Sequence, residues 1–275
     1  AQQNSKYLSP LRPYFQKMDF DTGSDFTELD KVFPKIYHLI YLVWNRSPYY
    51  NTTHRLVILI REMSNMLIEF ARHFVDAKEV LNHDPQEAID KLEIALSMCG
   101  LFKKYYFSYK TKIDKENPIE KRWKIPLVAV FHRLDQFMKR CNDILEIIRL
   151  VIMFRGLKEI EIGGTKGHIL TSEIRSIHSE FENSFGEFKE VSYDMLDIRA
   201  KEFEDHFYDF KSFIKQLERM LGSIMNKSFE DCSHTDAVFK LIESFQGLLQ
   251  REEIQRDMER NTNELLLSFK KDLEN

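Results

Sequence analysis

The chain has 275 residues, 43% of them hydrophobic, with 22 phenylalanines against 9 glycines and 7 prolines. A chain this apolar can bury a core, and so few glycines and prolines over such a length favour long helices over many short strands. The formal net charge of −4 is spread over interleaved acidic and basic residues, which offers no basic face for nucleic acid.

The opening "AQQNSKYLSPLRPYF", with Pro10 and Pro13, reads as a lead-in rather than a long helix. At "SDFTELD", Asp25 is placed to cap a helix and Glu28, three residues on, to return the bond. Phe26, Leu29, Phe33, Ile36, Ile40 and Val43 then recur at helical spacing, with a break or kink expected at Pro34. "NRSPYYNTT" is a turn whose Thr52 or Thr53 caps a helix striped by Leu56, Leu59, Ile60, Met63, Leu67, Phe70 and Phe74. "NHDPQEA" is a strong helix start, with Asp84 as cap, Pro85 first and Glu87 third. Its stripe is Ile89, Leu92, Leu96, Cys99, Phe102 and Tyr106. After "DKENPIEKRWKIP", a long helix carries Phe131, Leu134, Met138, Cys141, Leu145, Ile148 and Ile152.

Beyond a glycine-rich stretch, Thr171 is a candidate cap for a helix bearing Ile174, Ile177, Phe181, Phe185 and Phe188. "VSYDMLD" breaks it, and Phe203, Phe207, Phe210, Ile214, Leu217, Leu221 and Ile224 mark another long helix. "EDCSHTD" is a turn before Val238, Leu241, Phe245 and Leu248, and Ile254, Met258, Leu265 and Phe269 close the chain in one helix or two. The reading is all-α: an elongated array of antiparallel helical bundles, each apolar face covered by a neighbour. The organisation expected is a lead-in at 1–24, a first bundle at 25–156, a glycine-rich turn at 157–170 and a second bundle at 171–275.

The sharpest chemical question is "EIGGTKGHILTSE" at 161–173, which crowds Gly163, Gly164 and Gly167 around Lys166. A phosphate loop needs G-x-x-x-x-G-K-[ST] between a strand and a helix, so that backbone N–H groups wrap the phosphates. Here Lys166 precedes a glycine, no Ser or Thr follows it to hold magnesium, and no parallel sheet is in prospect. A small β-hairpin or tight turn near 159–170 fits better, with Gly163 or Gly164 at positive φ.

Other candidates are weaker. Cys232, His234 and the upstream His206 fall short of a zinc ligand set. Glu204 with Asp205, and Glu252 with Glu253, point about 100° apart on a helix and read as solvated faces, as does "REEIQRDMER". The run "FKKYYFSYK" at 102–110 interleaves lysines with rings, as single-strand sites do, but a core face with lysine rims explains it. "ILEIIRLVIMF" at 144–154 is broken by Glu146 and Arg149 and is too short to span a membrane, which takes ~20 residues. Three scattered cysteines, Cys99, Cys141 and Cys232, argue for a reducing compartment. The first residues do not read as a signal peptide, and a start at Ala1 without methionine suggests a processed form or an excerpt of something longer. No catalytic, cofactor-binding or metal-binding residue is assigned. On residues alone the alternatives are a helical tether or scaffold rod, or an all-α small-molecule binder or enzyme, for which few polar side chains converge.

Several stretches resemble one family. "SPYYNTTHRLVILIREMSNMLIEFA" (47–71), "FRGLKEIEIGGTKGHILTSEI" (154–174), "VSYDMLDIRAKEFEDHFYDFKSFIKQLERML" (191–221) and "FKLIESFQGLLQREEIQ" (239–255) are similar to the N-terminal tail of dynein heavy chains, in the family's order. The IGG-x-x-G turn of Gly163, Gly164 and Gly167 and the later YD-x-LD are the most diagnostic pieces. Tyr50, Arg55, Asn65, Tyr193, Asp194, Leu196 and Asp197 are the family-like positions. With "KYLSPLRPYF" at its start, the wording is more like an axonemal than a cytoplasmic chain. Glu252 stands where the resemblance leads one to expect proline after Arg251, which would let a helix run on. The resemblance implies a stem of helical bundles that carries intermediate chains and the light-chain complex, meets other heavy chains and docking factors, and anchors an ATP-driven microtubule motor to the axonemal doublet. It implies cytoplasm and cytoskeleton, in a cilium or flagellum, with ATP and Mg bound only in a motor ring outside these residues. It implies no nucleic acid, membrane or small-molecule substrate.

Overall fold

The computed structural model describes residues 6–19, 21, 23–76, 79–82, 84–231 and 235–256. Those residues are mostly helical, with no strand among them. The helices are α1 (Arg12–Lys17), α2 (Leu29–Arg46), α3 (Thr53–Val75), α4 (Pro85–Glu116), α5 (Leu127–Gly156), α6 (Gly167–Lys189), α7 (Glu202–Glu230) and α8 (Thr235–Ser244). The chain divides into two compact units, 1–146 with 193–200, and 147–192 with 201–275. The glycine-rich stretch 157–170, expected to separate two bundles, lies wholly inside the second unit. The division falls within α5, after Glu146, and 193–200 returns to the first unit.

In the first unit, Asp25 caps a short 3-10 turn (Phe26–Glu28), its Oδ1 accepting from the Thr27 N–H at 2.8 Å. Glu28 pairs with Lys31 at 3.0 Å. Helix α2 runs on from there with Pro34 inside it, contrary to the expected break. Pro34 is only the sixth residue, so the missing N–H deprives just the Asp30 carbonyl of its helical partner. Thr52 sits at the start of α3 in extended backbone without a side-chain cap bond, and Asp76 ends that helix at φ 61°. Asp84 caps α4 as its sequence predicts, accepting from the Gln86 and Glu87 N–H groups at 3.1 and 3.2 Å, with Pro85 first. Ala95 is buried on α4, while Leu96 is only half-buried.

Rings from α2, α4 and α5 build this core. Phe33 meets Phe102 at 5.4 Å, Tyr106 meets Phe131 at 5.0 Å and Trp123 at 5.6 Å. The lysines of "FKKYYFSYK" lie at the rim, Lys103 bridging to Asp135 at 2.5 Å and Lys110 to Asp114 at 2.6 Å. The run is therefore a core face. On α5 the buried residues of this unit include Val130, Phe131, Leu134, Phe137, Cys141, Ile144 and Leu145. Of the stripe read from sequence, Phe131, Leu134, Cys141, Leu145 and Ile148 are buried, Met138 is half-buried and Ile152 is 45% exposed.

In the second unit, Phe154 stacks on Phe181 at 4.4 Å, Phe181 on Phe185 at 5.9 Å, and Phe188 meets Phe210 at 5.0 Å. All five expected stripe positions of α6 and all seven of α7 are buried. Residues 245–250 form turns and 252–256 are helical again. Glu252 thus begins a helical segment and extends none. Nor is this stretch simply a solvated face. Arg251 meets the buried Glu218 at 2.6 Å, and Glu253 meets Arg219 at 3.5 Å. The expected positions Cys232, His234, Met258, Leu265 and Phe269 lie outside the described residues.

Candidate functional site

Two irregular segments carry the positions singled out in the sequence. The first is the glycine loop. After a 3-10 turn (Leu157–Glu159), residues 160–163 have no regular structure, 164–166 turn, and α6 begins at Gly167. "HIL" belongs to the helix, so the stretch is a turn and no hairpin. Gly164 has φ +94°, a region that side chains with a Cβ rarely enter. Gly163 does not share it. A Cβ on Gly167 would land on the Ile162 carbonyl, so that position is fixed by close backbone approach.

Thr171 does not cap α6, which starts four residues earlier. Its Oγ1 accepts from the Ile162 N–H at 3.0 Å and ties the loop down from inside the helix. Asp231, just past α7, fills the concave side of the turn. Its carboxylate accepts from the Lys166 N–H at 3.0 Å and the Thr165 hydroxyl at 2.7 Å. The Lys166 backbone bond, then the Thr165 hydroxyl, lower the Asp231 pKa from its usual value. The Lys166 N–H, a donor that a phosphate would use, is thus met by a carboxylate of the same chain. The Lys166 side chain is exposed.

The second segment is the strap 193–200, which contains YD-x-LD. Asp194 faces two ways: Oδ1 accepts from the Leu196 N–H at 2.8 Å, and Oδ2 accepts from the Arg72 guanidinium on α3. Asp197 folds onto Arg199, whose side-chain hydrogen bond, followed by its backbone bond, outweighs burial and brings the carboxyl to about 2. Leu196 is fully buried and Tyr193 half-buried. Beneath the strap lies Arg140 of α5, 3% exposed. It donates to the carbonyls of Met195 at 2.9 Å, Asp197 at 3.2 Å and Ala200 at 3.3 Å. Sequence reading missed Arg140, Arg72, Asp231 and the actual role of Thr171. The available signal was a cation at Arg140 set among Phe137, Cys141 and Ile144 of an apolar seam.

The other family-like positions lie apart from both segments. The Tyr50 N–H donates to Ser47 Oγ at 3.2 Å. Arg55 donates to the Tyr49 carbonyl and lies over the Tyr49 ring at 3.3 Å. Asn65 Oδ1 accepts from Arg133 at 2.8 Å, linking α3 to α5. Cys99 and Cys141 are buried free thiols; burial pushes Cys99 up to about 12 and Cys141 well above its usual value, which keeps both unreactive. Among the described residues, no three His, Cys, Asp or Glu side chains gather as a metal site, and no helix is long and apolar enough to cross a membrane.

The family model described as "Dynein heavy chain, N-terminal region 1" matches residues 1–275. The chain belongs to the dynein heavy chain family. It is 39% identical, over 99% of its length, to the dynein beta chain of the flagellar outer arm of Chlamydomonas reinhardtii. It is 32% identical over 94% of its length to a ciliary dynein beta chain of Tripneustes gratilla. To human dynein axonemal heavy chain 17 it is 30% identical over 98%. In each case it spans 6% of the relative's length. The glycine loop and the strap of this dynein segment are accordingly features of a heavy-chain N-terminal region, and both are closed by groups of the segment itself.

Proposed function

We propose that these residues are a non-catalytic part of the tail of an axonemal heavy chain. In this reading they form a helical scaffold that carries intermediate chains and the light-chain complex and touches neighbouring heavy chains and docking factors. It helps to anchor an ATP-driven motor to the doublet microtubule of a cilium or flagellum. ATP and magnesium are assigned to a motor ring elsewhere in the whole protein. The match of the N-terminal-region model to residues 1–275 carries the reading. The loop geometry supports it: the Lys166 N–H and the Thr165 hydroxyl, donors that would turn to a phosphate, are engaged by Asp231. The experiment is recovery of a tagged full heavy chain from ciliated cells, beside the same chain lacking 1–275. Loss of intermediate or light chains, or of neighbouring heavy chains, is expected. Full recovery of all of them by the shortened chain would refute the role.

A further inference from the structure

Helices α6 and α7 leave a cleft of about 680 Å³ along one side of the second unit. On α6 its lining runs from Glu180 to Phe188, or about 12 Å at 1.5 Å per residue, with Val191 just past the helix end. That is the length of a little over two helical turns. Its floor is aromatic: Phe188 and Phe210 are 7% and 4% exposed with rings 5.0 Å apart, and Phe213 is half-buried beside them. Its walls carry the exposed carboxylates Glu180, Glu187 and Asp209, with Asn183, Ser184 and His206 between them. Among the described residues, no lysine or arginine lines it.

An apolar floor between acidic walls selects a ligand with the opposite pattern. An amphipathic helix lays side chains at i, i+3, i+4 and i+7 into such a groove, and charges on its flanks are chosen by the groove's walls. We propose that this cleft docks a basic amphipathic helix of a partner subunit, with leucine-like or aromatic residues against Phe188, Phe210 and Phe213 and lysines or arginines against Glu180, Glu187 and Asp209. The inference rests on the scaffold reading above and names one surface and the chemistry of its occupant. The carboxylates give specificity and approach rate, and the phenylalanines give the buried contact.

The test uses the intact motor particle with its full heavy chain. A carbodiimide condenses a carboxylate with a lysine amine it touches, and the joined peptides are then sequenced. The expected product links Glu180, Glu187 or Asp209 to a lysine in another subunit, with apolar residues spaced three and four around that lysine. In a Glu187→Lys, Asp209→Lys heavy chain, recovery of that subunit falls by about tenfold or more at physiological salt, because rim and wall charges now repel. Glu187→Gln, Asp209→Asn gives a smaller fall in the same direction, with an unchanged melting temperature because both side chains are exposed. Absence of any such link, a link to a segment without apolar spacing, or full subunit recovery with the charge-reversed chain overturns the inference. In the last case the scaffold reading survives, since the subunits are still carried; it fails only if the unaltered chain carries none.

Discussion

Replacing Arg140 by methionine should free the strap 193–200 while leaving the bundle beneath it intact. The side chain is buried, and its guanidinium meets three backbone carbonyls, at Met195, Asp197 and Ala200. Methionine has a similar length and no donor. Each carbonyl left buried without a partner costs about 1–3 kcal/mol, but the three share one side chain and do not add. Removing a buried cation also recovers part of its desolvation cost. The strap's own attachment sets a ceiling. If it lifts, the carbonyls reach water, and what is lost is chiefly the burial of Leu196, about 1.5–3 kcal/mol, and the Arg72–Asp194 pair. A net cost of about 3 kcal/mol follows, or roughly a hundredfold in the opening equilibrium at 1.4 kcal/mol per factor of ten. Amide exchange reads it directly: Leu196, Asp197 and Ala200, bonded to Asp194 Oδ1, the Asp194 carbonyl and the Asp197 carbonyl, should exchange about a hundredfold faster. Arg140→Lys should recover only part, because an ammonium does not reproduce the planar fork. Unchanged exchange in the strap, or equal acceleration throughout α4 and α5, would show that Arg140 serves the bundle instead.

Gly164→Val should destabilise by about 1–3 kcal/mol from backbone strain, since φ is +94° and the new Cβ would lie 2.6 Å from Asp231 Oδ2. Lys166→Ala should change stability by less than about 0.5 kcal/mol, because its side chain is exposed and the hydrogen bonds it makes here are those of its backbone. Melts of both, with and without nucleotide, check this, and a nucleotide-dependent Lys166→Ala defect would contradict it. Thr171→Val should cost about 1 kcal/mol and loosen Ile162, with Thr171→Ser restoring most of it; a melted first turn of α6 would mean Thr171 is a cap after all. For Asp197, the folded pKa of about 2 lies below the ordinary carboxylate value of 3.8, so its contribution is present above pH about 4 and is lost as pH falls towards 2. Asp197→Asn should flatten that part of the acid limb of strap exchange, and an identical limb in the variant would refute the assignment.

The long helices were legible because their cores are built from regular stripes. Phe181, Phe185 and Phe188, or Phe203, Phe207 and Phe210, declare a buried face without any knowledge of what covers it. Asp84 with Pro85 declared a helix start for the same local reason. What escaped was non-local. Nothing near Asp231 in sequence shows that its carboxylate will seat in a loop 65 residues earlier, and nothing near Arg140 shows three carbonyls from beyond α6. Pro34 does not break α2 because it falls within the first two turns of that helix, a placement that depends on where the helix starts. On α5 a single stripe missed Phe137 and Val151 because the buried face is broader than one stripe, Ile147, Leu150 and Phe154 being buried on it as well. The glycines of the loop were visible; the carboxylate that closes it was not.

The scaffold role proposed for residues 1–275 can be seen or refuted in a density map of the intact arm on its doublet, resolved well enough to trace α2 to α8. Helical faces of this segment, the α6–α7 cleft among them, should be covered by an intermediate chain, a light-chain component or a neighbouring heavy chain, with no nucleotide at the glycine loop. A segment bare to solvent on every face, or a nucleotide seated against Lys166 in place of Asp231, would contradict it.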